Sequence, residues 1–344
     1  MIHIVNWILT RRCNLKCEYC RIIRNYENQP KEYPSIGYYV KNEMSTEVIK
    51  RSLLKIKKHN KNCFNIFYGG EPALRKDLGE IINFSNENNI HYTVISNNTP
   101  AIKKYIDNLL IETNYNILGF TSSVDPMVFS SKFINNGDIE NKSINGLNRL
   151  LELESRVKDL VSEITVTNET LEYLYTLVKF LTDHGINSDI TFVDIAKNNY
   201  YDFSNVTDYN LLVNKSSELR DVINRIIDEK LNVHMRDELL PIIYDSLPSN
   251  YDCKLEDNFH NMTIDADGSI RLCLRLRGVS TPSDFNVENI LDNNGKLNPF
   301  ISEFIYRDKK NYCELCNWPC VMMSSMISNG YKFEDLIHSE ERNK

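Results

Sequence analysis

The chain has 344 residues, 42% hydrophobic and 25% charged, enough for one large globular domain and a smaller companion. Its net charge of −7 argues against a phosphate-backbone partner, which leaves a basic stripe, so no nucleic acid is expected. No apolar run reaches the roughly 18 residues of a membrane span, and the apolar start MIHIVNWIL lacks the charges and cleavage site of a signal peptide, so a cytoplasmic, membrane-free protein is expected.

In chain order, the apolar run at 2–9 reads as a buried strand. Residues 45–59 have helical spacing with Ser45 as N-cap, and CFNIFYGG (63–70) reads as a strand ending in a glycine turn. A helix over 78–89 precedes a strand over 90–98, and Thr99-Pro100 opens the next helix. Strand 116–125, helix 142–154, strand 160–168, a helix over 169–185 closed by Gly185, and strand 186–195 follow. Such alternation predicts a parallel sheet with helices outside, and six strands fall short of a closed barrel of eight. The expected fold is an α/β partial (β/α)6 barrel, open and TIM-like, with an open doubly wound sheet as its rival. Beyond residue 200 the pattern changes to helices at 216–232 and 237–247, then a hairpin around Asp267-Gly268 in MTIDADGSIRLCL (262–274). A boundary near 235 therefore separates a core of 1–235 from a cysteine-rich domain of 236–344.

Nine cysteines in a reducing compartment point to metal or catalysis rather than disulfides. Cys13, Cys17 and Cys20 form C-x3-C-x2-C directly after the first strand, on the loop where such folds place active sites. A structural zinc site wants four ligands, and no histidine follows nearby. An iron–sulfur cluster held by three thiolates would keep one iron open. Spacing alone leaves both readings standing. Cys63 begins a strand and reads as plain core.

This motif, with Tyr19 before its last cysteine and YGGEP (Tyr68 to Pro72) ending the second strand, resembles the radical S-adenosylmethionine (radical SAM) enzymes. The resemblance implies a [4Fe–4S] cluster on Cys13, Cys17 and Cys20, with S-adenosylmethionine chelating the open iron. One electron then cleaves it to methionine and a 5′-deoxyadenosyl radical, which takes a hydrogen atom from the substrate. Gly69 and Gly70 would let the backbone approach the ligand, Glu71 would lie near the methionine ammonium, and Pro72 would fix the turn. Tyr19 would offer its backbone to the adenine. Asn97, in SNN where the family often has Thr-Asn-Gly, and Ser123, Asp125 and Asn168 at later strand ends would face ligand, with Lys132 as a cation for the carboxylate.

Cys253, Cys273, Cys313, Cys316 and Cys320 remain, reading C-x14-G-x4-C with Gly268, then C-x2-C-x3-C. Two cysteine pairs suit a structural zinc site as well as a cluster. The pattern resembles the SPASM and Twitch extensions of radical SAM enzymes, and five cysteines imply one auxiliary [4Fe–4S] cluster. Cys253, Cys273, Cys313 and Cys316 are the closest ligand match, with Cys320 able to replace one of the last two. An auxiliary cluster implies an oxidoreductase that removes two electrons from a small molecule, served by a donor such as flavodoxin or ferredoxin. The alternative is a peptide maturase forming thioether or carbon–carbon links. Because the chain starts at its first strand, with no recognition domain ahead, the small molecule is the first expectation. A non-enzymatic, zinc-stapled binding module is the remote alternative.

Overall fold

The computed structural model describes residues 2–17, 20, 36–112, 119–129, 137–155, 157, 159–192, 213, 217–233, 261–271, 286–292 and 294–298. Six strands alternate with helices, as the apolar pattern predicts: β1 (Ile4–Thr10), β2 (Phe64–Gly69), β3 (His91–Ser96), β4 (Gly119–Ser123), β5 (Asp159–Val166) and β6 (Asn187–Phe192). The helices are α1 (Ile36–Lys41), α2 (Thr46–His59), α3 (Leu78–Glu87), α4 (Pro100–Glu112), α5 (Gly137–Leu153), α6 (Leu171–Asp183) and α7 (Ser217–Asp228). The six-residue α1 and the short 3-10 turns Pro72–Leu74 and Pro126–Phe129 are elements that the apolar pattern does not announce. Ser45 caps α2 by accepting the Val48 N–H. Gly185, at φ +69, ends α6 as expected: its N–H reaches the Thr182 carbonyl and the Ile186 N–H reaches Leu181, a Schellman closure.

With β7 (Asn261–Ile264) and β8 (Ile270–Arg271), the strands run in the order β6-β5-β4-β3-β2-β1-β7-β8. From β1 to β6 each new parallel strand is added on the same side. A doubly wound sheet would reverse its order part-way, so that rival is excluded and the curled, open TIM-like half-barrel stands. The difference lies on the other side of β1. There β7 (Asn261–Ile264) pairs in parallel from Ile4↔Asn261 to Trp7↔Ile264, making seven parallel strands rather than six. The expected hairpin forms as β7 turns through Gly268, at φ +83, into antiparallel β8 (Ile270–Arg271). A strand contributed from so far along the chain carries no local signal of where it pairs.

The two faces of the sheet differ. Val5, Trp7, Leu9, Phe67, Tyr92, Val94, Phe120, Ile164 and Ile190 are buried against helix residues such as Ile49, Leu53, Ile81 and Leu174. Trp7 meets Phe67 edge-on at 6.3 Å, and Phe67 stacks on Tyr92 at 5.5 Å. The opposite, inward face alternates with it and stays partly open at Ile4, Asn6, Ile66, Tyr68, Ile95, Glu163 and Asp189. Cys63 is buried in the helix-facing core, as its position implied.

Candidate active site around a three-cysteine loop

The loop leaving β1 is fastened before it reaches its first cysteine. The Gly70 N–H donates to the Thr10 carbonyl and the Glu71 N–H to the Arg12 carbonyl, each at 2.8 Å. A Cβ on Gly69 would stand 2.2 Å from the Thr10 oxygen, and one on Gly70 would stand 2.1 Å from the Arg12 oxygen. Both glycines are therefore demanded by the backbone of the cysteine loop itself, which is what they approach. Gly69 also sits at φ +152, which disfavours a side chain.

Glu71 and Pro72 form the next layer. Pro72 begins a short 3-10 turn (Pro72–Leu74) capped by the Glu71 carboxylate, which accepts the Ala73 N–H at 3.0 Å. Glu71 also accepts from the Ser96 hydroxyl at 3.0 Å and the Asn97 N–H at 2.8 Å. Burial pushes its carboxyl up to about 7, against the pull of those donors. The sequence reading aimed Glu71 at a ligand's ammonium. Among the described residues, its hydrogen bonds join the ends of β2 and β3.

Asn97 carries the connection on to the cysteines. Its amide donates to Asn14 Oδ1 at 3.0 Å and lies 3.7 Å from Cys13 Sγ. The Asn14 amide in turn donates to the Thr99 hydroxyl. Asn98 takes φ +49, the left-handed conformation that a glycine would adopt easily and that Asn tolerates. Cys13, Cys17 and Cys20 are free and partly buried, with the Cys20 N–H on the Cys17 carbonyl at 3.0 Å. Burial pushes the Cys13 thiol up to about 12 and the Cys17 thiol up as well, with Lys142 pulling the latter back.

Lys142 was missed by the sequence reading. It is 3% exposed, lies on α5, and pairs with buried Asp125 at 3.1 Å. Burial lowers its affinity for a proton, but Asp125 and the cysteines outweigh that and raise it. A Cβ on Gly146 would come within 2.7 Å of the Ser123 carbonyl, so this glycine brings α5 close enough to β4 for Lys142 to reach inward. Ser123 is partly buried and in register with Glu163 of β5, itself opposite Asp189 of β6. Burial and Asp189 push Glu163 up to about 8, while Thr191 donates to it at 3.1 Å. Its signal was an acid between the apolar residues Val161 and Ile164 of β5.

Asn168 stands apart. It is exposed on a turn closed by hydrogen bonds between Thr167 and Thr170, and none among the described residues joins it to the cysteine loop. Tyr19, Lys132, Cys253, Cys273, Cys313, Cys316, Cys320 and the helix expected at 237–247 lie outside the described residues.

The profile of the Radical SAM superfamily matches residues 7–181, just over half of the chain, from β1 through α6. The chain belongs to the radical SAM superfamily. Like other members it is an enzyme whose family chemistry rests on a [4Fe–4S] cluster and S-adenosylmethionine. Among curated relatives, it is 25% identical to the radical SAM cyclopropyl synthase TigE of Paramaledivibacter caminithermalis, over 66% of this chain and 46% of that protein. It is 33% identical to the Fe-coproporphyrin III synthase of Methanosarcina barkeri, over 28% of this chain and 21% of that one. These matches span less than half the length of either relative. Streptococcus suis SuiB, solved with S-adenosylmethionine bound, shares the fold at TM-score 0.56 and 17% identity, over 82% of this chain and 62% of SuiB.

The cysteine loop suits the cluster this radical SAM family uses. Cys13, Cys17 and Cys20 are three free, partly buried thiols on one loop, the donor type taken by an iron–sulfur cluster, which would spread them over separate irons. Its positive irons would also hold as thiolates groups that burial otherwise keeps protonated. No described helix is long and apolar enough to cross a membrane.

Proposed function

We propose that this radical SAM enzyme carries a two-electron oxidation of a small molecule, with a second, auxiliary cluster taking the electron left on the substrate. The loop of Cys13, Cys17 and Cys20, seated on the Gly69-Gly70-Glu71-Pro72 turn at the C-terminal ends of β1 and β2, supports the radical part of this reading, and the C-x14-G-x4-C and C-x2-C-x3-C spacing supports the oxidative part. Bound to those three thiolates, a [4Fe–4S] cluster would supply the electron that splits S-adenosylmethionine and yields the hydrogen-abstracting 5′-deoxyadenosyl radical.

The chain's own residues prepare that event. Gly69 and Gly70 seat the loop, Asn97 steadies Cys13, and the Asp125–Lys142 pair holds a cation toward Cys17. Lys132 would supply the cation for the carboxylate of S-adenosylmethionine. The partly open inward face, with Asn6, Ser123 and Glu163, receives the substrate. Cys253, Cys273, Cys313 and Cys316, or Cys320 in place of one of the last two, would hold the auxiliary cluster of a SPASM- or Twitch-like domain spanning 236–344. An external donor such as flavodoxin or ferredoxin would supply the electron.

A second reading, a maturase that forms carbon–carbon bonds within a peptide, draws support from a curated match over 66% of this chain, to a protein named for making a cyclopropyl group.

The test is iron and sulfide per chain after anaerobic reconstitution, in wild type and in the Cys13/Cys17/Cys20 triple alanine variant. About eight irons falling to about four supports two clusters. About four falling to none, with zinc present, replaces the auxiliary cluster with a structural zinc site and removes the oxidative assignment.

A further inference from the structure

Arg11 and Asp265 are the first residues beyond β1 and β7, two neighbouring parallel strands. They are 1% and 0% exposed and form a two-pronged pair: Arg11 Nε donates to Asp265 Oδ1 at 2.6 Å, and Nη2 donates to Oδ2. The Tyr39 ring lies 4.5 Å from the guanidinium. The Asp265 end is fixed by the hairpin, since Oδ1 also accepts the Ala266 N–H at 2.8 Å and the Asp265 N–H donates to Ser269 at 2.8 Å. The Arg11 end is fixed by its flanks, because the Thr10 and Arg12 carbonyls are held by Gly70 and Glu71. Arg11 stands two residues before Cys13, and β8 ends two residues before Cys273.

A buried ion pair adds little net stability over apolar side chains of the same size. What a bidentate fork adds is geometry, because it tolerates little sliding or rotation. We propose that Arg11–Asp265 is a positioning pair that transmits the state of the C-terminal hairpin to the cysteine loop. This rests on the reading above that the loop carries a cluster. A shift in the hairpin then moves Arg11, and through it the backbone entering Cys13.

The test is a cycle on the reconstituted full-length enzyme. Gly268→Ala strains the hairpin at its φ of +83, and Arg11→Met/Asp265→Leu removes the fork without leaving one charge behind. The readouts are amide exchange over residues 10–17 and the part of the reduced EPR spectrum that disappears in the triple alanine variant. With the fork intact, Gly268→Ala should speed exchange about tenfold and shift that spectrum; without the fork both responses should vanish. Equal responses in both backgrounds, or no response in either, overturn the coupling. Should the double variant not fold, Arg11→Lys keeps the charge and loses the fork, and should weaken both responses; undiminished responses overturn the coupling. Exchange needs no iron, so a chain that passes that arm but shows no EPR component sensitive to the triple variant refutes the cluster reading and not the pair.

Discussion

Gly70→Ala should unseat the cysteine loop, and the size of the effect follows from the geometry. The added methyl would lie 2.1 Å from the Arg12 oxygen and 2.6 Å from its carbon, where ordinary contact begins near 3.4 Å. Both are backbone atoms, so no side chain can swing aside. The Arg12 carbonyl must retreat by more than about 1 Å, which takes its 2.8 Å hydrogen bond from Glu71 beyond bonding range. The neighbouring bond from Gly70 to Thr10 shares the strain. Two buried bonds at about 1–1.5 kcal/mol each come to about 3 kcal/mol, or roughly 6–12 °C in melting temperature. Gly185→Ala is the control: it has the left-handed φ of +69 but nothing within 4 Å of the added carbon, so only the conformational cost of about 1–2 kcal/mol applies. Differential scanning calorimetry and iron analysis should therefore separate the two variants, with iron lost from the loop only in Gly70→Ala. If Gly70→Ala loads iron like wild type and melts no lower than Gly185→Ala, close backbone contact is not what seats the loop.

Cys17→Ala should abolish formation of 5′-deoxyadenosine from S-adenosylmethionine under strong reductant; product forming at the wild-type rate would remove Cys17 from the cluster. Cys273→Ala should retain the loop's iron while losing substrate turnover or thermal stability, which iron analysis and a melting curve would show. Glu71 is raised from its usual value near 4.5 to about 7 on folding, so the folded chain holds its proton more tightly than the unfolded one. The stability this brings is complete below about pH 4.5 and is lost as pH rises through about 7, amounting to about 3 kcal/mol at most. Urea titrations of cluster-free protein should lose stability over that window in wild type but less so in Glu71→Gln; parallel profiles would refute it. Lys142→Met should raise the Cys17 thiol further in cluster-free protein, read as slower alkylation at fixed pH, and an unchanged rate would remove the lysine's influence.

Much of the fold was legible because each element announces itself locally. β1 is apolar for most of its length, α2 carries its own N-cap, and Gly185 closes α6 in a conformation that glycine adopts readily. The cysteine spacing and the GGEP turn were legible for the same reason, as short motifs whose backbone demands are built into their residues. Less legible was anything joining distant segments. β7 is as strand-like as any other, yet only the assembled sheet shows it beside β1. Arg11 and Asp265 are 254 positions apart, and neither has a periodicity that names the other. Lys142 reaches inward because Gly146 lets α5 approach β4 closely, a contact that its own neighbours in the chain do not announce. Asn168, expected at a strand end facing ligand, lies two residues past the end of β5 and is exposed.

The charges around the loop explain why so many ionisable groups can be buried there. Arg11 is matched by Asp265, Lys142 by Asp125, and Glu71 by three donors from the chain. Each group is compensated locally, so the protein can fold before any cofactor arrives, without an isolated charge in a poorly solvated place. Thiolates on the loop would change that balance. Their charge falls beside Glu71, which already disfavours ionisation of Cys13, and within the influence of Lys142, which favours ionisation of Cys17. Glu71, with its carboxyl near 7, can answer added negative charge by keeping a proton; Lys142 answers by staying charged between Asp125 and the cysteines. The two residues therefore accommodate the same charge by opposite routes, one from the β2 side of the loop and one from the β4 side. Neither could do so on the exposed face of a helix, where water would screen the loop from both.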